Sequence, residues 1–146
     1  MATATNGNYA VGSDTGEIRF YDRIGNAKNL IPSLLGDKIA NIDCSTDGKW
    51  ILATTKSYLI LLPALVGDKN AYKAVFPKDS KPCPKVLRVA PLQMQKNKIK
   101  ELNLRDGKFD DKKDGNEQYI VATSDNFLVM WSMKNISNGK FVSTEV

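Results

Sequence analysis

KWILATTKSYLILLP, residues 49–63, is apolar at nearly every position from Trp50 to Leu62, with its break at Lys56 and Ser57. A strand with one wet face alternates polar and apolar residues, whereas a near-continuous apolar run marks strands covered on both faces. The stretch therefore reads as two strands, Trp50–Thr55 and Tyr58–Leu62, joined by a turn. A membrane helix needs roughly 20 predominantly apolar residues. Lys56, Ser57 and Pro63 rule that reading out.

The same fifteen-residue pattern occurs at residues 8–22 (NYAVGSDTGEIRFYD) and 118–132 (QYIVATSDNFLVMWS). Each copy has an aromatic in second place (Tyr9, Trp50, Tyr119), a small residue in fifth (Gly12, Ala53, Ala122) and a hydroxyl in sixth (Ser13, Thr54, Thr123). The first interval between copies falls in the range of about 40–45 residues that marks β-propeller blades, and the second is longer by an insertion. The fold class is all-β: a partial propeller of about two and a half to three four-stranded antiparallel blades. A closed ring takes about 4–8 blades. The chain is thus expected to be part of a longer propeller or a truncated product, marginally stable or self-associating when isolated.

The blades divide as 1–37, 38–78 and 79–146, the first incomplete because no strand is expected before Tyr9. Tyr9–Ser13 and Glu17–Asp22 form its hairpin around Asp14-Thr15-Gly16, and Leu30–Leu34 an outer strand weakened by Pro32. In the second blade Ile39–Ser45 is the inner strand, Thr46–Lys49 a turn and Ala71–Phe76 the outer strand. Pro77–Pro84 is a crossing loop, because proline removes backbone donors and holds the chain extended. Lys85–Ala90 is expected to open the third blade as its inner strand. Residues 91–117 are the insertion, with a short helix around Gln93–Leu102. Between Lys96 and Glu117 lie seven basic and six acidic side chains, so this segment reads as a solvated excursion and a candidate partner contact.

The 146 residues contain no histidine, which removes Ser-His-Asp and Cys-His catalysis and histidine-containing zinc sites. Asp14-Thr15-Gly16 spells an aspartic-protease loop, but that chemistry needs two such carboxylates and no second copy exists. Asp110–Val121 begins like a calcium loop, yet Lys112 and Val121 stand where carboxylates should coordinate. Asn135-Ile136-Ser137 matches a glycosylation sequon in a chain with no visible secretory signal. Cys44 and Cys83 match no CxxC spacing and point to a reducing compartment. No catalytic, cofactor or metal residue is assigned, and the chain is read as not an enzyme. The net charge of +5 raises the alternative of a basic surface for nucleic acid or other anionic partners. The lysines are scattered among acids rather than interleaved with aromatics, so nucleic acid is disfavoured.

GSDTGEIRFYD (Gly12–Asp22) resembles the second-to-third strand segment of a WD repeat, with Tyr21-Asp22 in the place of Trp-Asp. Ser13, Thr54 and Thr123 match the hydroxyl of that repeat's polar tetrad, but its histidine is absent, so blade packing is expected to lean on apolar contacts. Tyr21, Leu62 and Trp131 share one repeat position and are expected to pack between blades. More narrowly, DGKWILATTKSYLILL (Asp47–Leu62), KPCPKVLRVAP (Lys81–Pro91) and IVATSDNFLVMWSMKNISNGK (Ile120–Lys140) resemble the carboxy-terminal propeller of one family. It is the vacuolar import and degradation protein twenty-seven family, whose plant members are the defective embryo and meristems proteins. Ser124-Asp125-Asn126 departs from the glycine-proline turn usual there. The resemblance implies an intracellular, cytoplasmic or also nuclear, non-catalytic scaffold. Its contacts would be the remaining blades of the parent propeller and a protein partner not identified by these residues.

Overall fold

β-branched, aromatic and leucine side chains fill the strands of each copy, and short polar turns join them into antiparallel hairpins. The computed structural model describes residues 2–3, 7–32, 35–44, 49–66, 69–70, 72, 84–111 and 118–143. In the first sheet β1 (Ala2–Thr3), β2 (Tyr9–Gly12), β3 (Ile18–Tyr21) and β4 (Ala27–Ile31) lie in sequence order. In the second, β5 (Asn41–Cys44), β6 (Trp50–Thr54) and β7 (Leu59–Pro63) are completed by β10 (Lys85–Leu87). Between them the chain forms a small pair, β8 (Leu65–Val66) with β9 (Lys69–Asn70). Helix α1 (Pro91–Lys96) then leads to the third sheet, β11 (Leu104–Asp111), β12 (Gln118–Ser124) and β13 (Phe127–Ser132), which is followed by helix α2 (Met133–Ser137). β1 lies against β5, and β5 against β11, so the first strands of consecutive sheets are neighbours, as in a partial propeller.

Alternation along β6 and β7 sends side chains to both faces of the second sheet, and both faces are dry. Ile51, Ala53, Ile60 and Leu62 join Ala10, Ile18, Phe20 and Ile31 of the first sheet in one core. Leu52, Leu59, Leu61 and Leu87 join Leu104, Ile120, Val129 and Trp131 of the third in another. Polar bonds cross the second of these interfaces. The Thr54 hydroxyl accepts from Gly107 N–H at 3.0 Å, and the Asp43 carboxylate accepts from Phe109 N–H at 3.1 Å. Both donors lie on β11, the edge strand of its sheet, so side chains of the second sheet satisfy part of that edge.

Pair register explains which repeat positions meet. Ile51 pairs with Leu62 and Ile120 with Trp131, but in the first sheet Tyr9 pairs with Tyr21. The first hairpin turns over an odd number of residues, Ser13–Glu17, and the others over even numbers, Thr55–Tyr58 and Asp125–Asn126. β2 is thereby displaced by one residue relative to its sequence copies, which reverses its faces. Ala53 and Ala122 face the preceding side, whereas Gly12 lies against Ile39 and Ile42 of the following segment. Leu62 and Trp131 are fully buried between sheets as expected. Tyr21 is not. It stacks on Tyr9, centroids 5.0 Å apart and planes 10° from parallel, on the outer face of the first sheet.

Several strands lie elsewhere than the sequence indicates. A strand does precede Tyr9, the two-residue β1, too short to leave an alternating signal. The outer strand of the first sheet ends at Ile31, and Pro32 follows it. Lys85–Leu87 is the fourth strand of the second sheet, paired with Leu59–Leu61, and not the inner strand of the third. Of the expected outer strand Ala71–Phe76 only Tyr72 is among the described residues, and the crossing loop is outside them up to Cys83. Residues 104–111, read as solvated excursion, form β11, the first strand of the third sheet. Their alternation is broken by a bulge between Arg105 and Lys108, where Asp106 takes φ 53°. The short helix starts at Pro91, with proline in its first turn, and ends before Asn97. Helix α2 is an element that the sequence pattern does not indicate; the Ser132 hydroxyl caps it by accepting from Asn135 N–H.

Close approach fixes glycine at both interfaces. A Cβ on Gly12 would lie 2.5 Å from Ile39 Cγ2 and 2.9 Å from Ile42 Cδ1, and one on Gly107 would lie 2.5 Å from Thr54 Oγ1. Gly12→Ala and Gly107→Ala should each lower unfolding stability by about 1–3 kcal/mol, the cost of overpacking. Urea unfolding measures it; a change within about 0.5 kcal/mol, as for a neutral surface site, would show that the sheets are less tightly apposed.

Candidate interaction surface

The turns between second and third strands, and the segments entering β5 and β11, meet at one edge of the three sheets. Ile39 N–H donates to Ser13 C=O at 3.1 Å, and Leu104 N–H donates to Lys56 C=O at 2.9 Å. Each bond ties the approach to one sheet onto the turn of the sheet before it. Within the first turn Ser13 Oγ accepts from Glu17 N–H at 3.0 Å, which identifies Asp14-Thr15-Gly16 as turn chemistry. In the second, Thr55 Oγ1 donates to Tyr58 C=O at 2.8 Å. Tyr58 OH donates to Asp37 Oδ2 at 2.8 Å, and Asn103 N–H donates to Ser124 Oγ at 3.0 Å. The rim is a bonded network, so its side chains project from fixed backbone.

A cleft of about 360 Å³ opens in this rim, lined by Lys38, Ala40, Lys56, Asn103, Leu104 and Arg105. Lys56 Nζ lies 2.7 Å from Glu101 Oε1, and Lys38 Nζ lies 3.9 Å from Asp14 Oδ1. The Lys56 ammonium, through its hydrogen bond and its charge, holds the Glu101 carboxyl below the usual range. Burial, then the bond to Asp37, pushes the Tyr58 phenol up to about 12. A second groove, about 240 Å³, lies on the first sheet's outer side between Arg19, Tyr21, Ala27, Lys28, Asn29 and Leu30. On the third sheet Leu128 is 53% exposed, so apolar surface is open at both ends of the stack.

The sequence marks no site residue, because the cleft is lined from three distant segments whose charged side chains look like those of ordinary loops. Their convergence depends on β11 lying where it does, and β11 is the strand hidden by its own charge. Cys44, in β5, carries a free thiol 3.4 Å from Tyr72 OH, and burial pushes it up. It packs with the first core as a small apolar group. Among the described residues no three His, Cys, Asp or Glu side chains gather as a metal site. No helix among them is long and apolar enough to cross a membrane.

Three sheets in propeller order agree with a comparison of the whole chain: residues 1–146 match the family described as VID27 C-terminal WD40-like domain. The chain belongs to this family. It is 34% identical over 147 residues to Vacuolar import and degradation protein 27 of Schizosaccharomyces pombe, covering 94% of this chain and 18% of that protein. To the protein of the same name from Saccharomyces cerevisiae it is 35% identical over 147 residues, covering 94% and 19%. The chain spans less than a fifth of the length of these relatives. WD40-like domains generally mediate contacts between proteins, which suits a rim held by its own backbone.

The raised Tyr58 phenol has a pH consequence. A group whose pKa is higher folded than unfolded stabilises the fold fully below the unfolded value, about 10, and loses that contribution as pH rises. Tyr58 should therefore ionise near 12, seen as a phenolate absorbance step that Tyr58→Phe removes. The variant's stability should change less with pH between about 10 and 12. A step near 10 that vanishes in the variant would mean that Tyr58 is neither buried nor bonded to Asp37.

Proposed function

We propose that this chain is a non-catalytic protein-interaction domain and serves the vacuolar import and degradation role named by its relatives, in the cytoplasm. The observation that carries the reading is the rim, where the turns are hydrogen-bonded to the segments that enter the second and third sheets. A partner docking there meets side chains on ordered backbone, so little conformational entropy is lost on binding. Support also comes from the end faces. Tyr9, Tyr21 and Leu30 on one side and Leu128 on the other are suited to further blades of a longer propeller.

Nucleic-acid binding has weaker support, because Lys38 and Lys56 already face carboxylates and no aromatic side chain among the described residues lines the cleft. The readings separate by salt and nuclease. Proteins captured by the intact parent protein should remain bound after nuclease treatment and between about 0.05 and 0.2 M salt. Phosphate-mediated binding would fall by about 10³ or more across that range. Nuclease-sensitive capture would overturn the protein-interaction reading.

The isolated chain, with two sheet faces uncovered, should self-associate at rising concentration in sedimentation velocity. A monomer with a cooperative, concentration-independent melting transition would show that these faces need no cover.

A further inference from the structure

Residues 84–100 carry five Lys or Arg side chains and residues 133–143 carry two, and neither segment contains Asp or Glu. The fold brings these two segments together at the outer edge of the second and third sheets. Ser143 Oγ accepts from Ala90 N–H at 2.8 Å, and the Gln93 side-chain amide donates to Ser143 C=O at 3.2 Å. In α1 Met94 packs against the second core, so Leu92 and Lys96, one turn apart, share the opposite face. Leu92 is 80% exposed, and Lys96 is exposed with it. On the returning segment Phe141 packs against the same core, which leaves Val142 48% exposed beside exposed Lys140. Lys98 and Lys100, both exposed, continue the cationic run after α1. The ion pairs among the described residues lie elsewhere: Asp14, Glu17, Asp22 and Glu101 hold Lys38, Arg19, Lys28 and Lys56. Among the described residues the charge of this edge is therefore uncompensated.

We propose that this outer edge rests on an anionic lipid bilayer, with Leu92 and Val142 entering the headgroup boundary and Lys96, Lys98, Lys100 and Lys140 meeting the negative headgroups. The site is separate from the rim and goes beyond the interaction-domain reading. Charge of one sign suits any polyanion. The exposed apolar pair favours the bilayer, which places hydrocarbon beneath its negative surface, whereas an acidic protein surface offers carboxylates alone. Single-stranded nucleic acid is held by aromatic side chains that stack on its bases. Phe141 of this edge is half-buried, and Lys85 Nζ lies 5.8 Å from its ring centre. Attachment of this kind is peripheral and needs no membrane-spanning helix. The bonds at Ser143 hold the two apolar side chains in place before contact, so little ordering is required on binding.

Vesicle flotation tests this with the intact chain, because self-associated protein does not float. Phosphatidylcholine vesicles containing phosphatidylserine should carry the chain upward, and vesicles of phosphatidylcholine alone should not. Each lysine near an anionic surface is worth about fivefold in binding, so the double variant Lys96→Gln, Lys140→Gln should bind about 25-fold more weakly. Arg19→Gln, on the first sheet's outer side, should float as the unaltered chain does. Leu92→Ser should lower binding by about fivefold. Leu92→Trp should add emission that shifts to the blue on anionic vesicles, a signal that a misfolded variant would show without lipid. Equal flotation with the two kinds of vesicle, indifference to the double lysine variant, or a Leu92→Trp spectrum unmoved by vesicles overturns the proposal. So does tighter binding of oligothymidylate or polyglutamate through the same lysines, which would assign the edge to nucleic acid or to an acidic protein.

Discussion

Burial of the second sheet on both faces is the constraint on which the other features depend. Leu52, Leu59 and Leu61 point one way, Ile51, Ile60 and Leu62 the other, and all are between 0% and 4% exposed. Covering a side chain of this kind stabilises by about 1.5–3 kcal/mol, and neither face can be covered by the sheet itself. The first sheet covers one face and the third covers the other. Removing either would leave a contiguous apolar patch in water, so the three sheets hold together as a sequence of mutual covers. The same logic makes the end sheets different from the middle one. Arg19 is exposed on the outer side of β3, and Leu128 on β13, where the middle sheet has only buried positions.

Histidine's absence leaves the polar side of sheet-to-sheet contact to another device. Thr54 and Asp43 supply acceptors, and the backbone of β11 supplies donors at Gly107 and Phe109. The contact works because Gly107 has no Cβ, which lets a strand approach a buried hydroxyl closely enough to bond it. At the other interface the glycine is Gly12 and its neighbours are Ile39 and Ile42, so that approach is apolar. One interface is thus joined by apolar packing with the Ile39–Ser13 backbone bond at its rim, and the other by packing together with hydrogen bonds from strand backbone to buried side chains. The expectation that apolar contact would replace the missing tetrad describes the first interface and only half of the second.

How much of this the sequence discloses depends on how each strand is covered. β6, β7, β12 and β13 carry apolar runs dense enough to read directly, and the repeat places their hairpins. β11 is different: Arg105, Asp106 and Lys108 are exposed on an edge strand, and the bulge at Asp106-Gly107 destroys the period of two. Such a strand has the composition of a solvated loop and is fixed only by its partner β12 and by side chains of the second sheet. β10 is obscured in another way, since the chain leaves the second sheet after β7 and returns only at Lys85, so adjacency in sequence misleads. The cleft inherits both difficulties. Lys38 and Lys56 flank strands that can be read, but Asn103 and Leu104 line the cleft from the start of the strand that cannot.

The chain's return to the middle sheet explains how the cleft keeps its shape. After α2, residues 141–143 run beside Arg88, just beyond β10. Arg88 N–H donates to Phe141 C=O at 3.0 Å, and Arg88 C=O accepts from Ser143 N–H at 2.9 Å and from the Trp131 indole at 3.0 Å. Ser143 is bonded in turn to Ala90 N–H and to the Gln93 side chain of α1. The second and third sheets are therefore fastened at their outer strands by this clasp and at their inner strands by Thr54, Asp43 and β11. Held at both edges, the two sheets cannot splay without breaking one set of bonds or the other. The β6–β7 turn at Lys56 and the entry to β11 at Leu104, bonded to each other at 2.9 Å, can then keep a fixed separation, which a flexible loop pair could not.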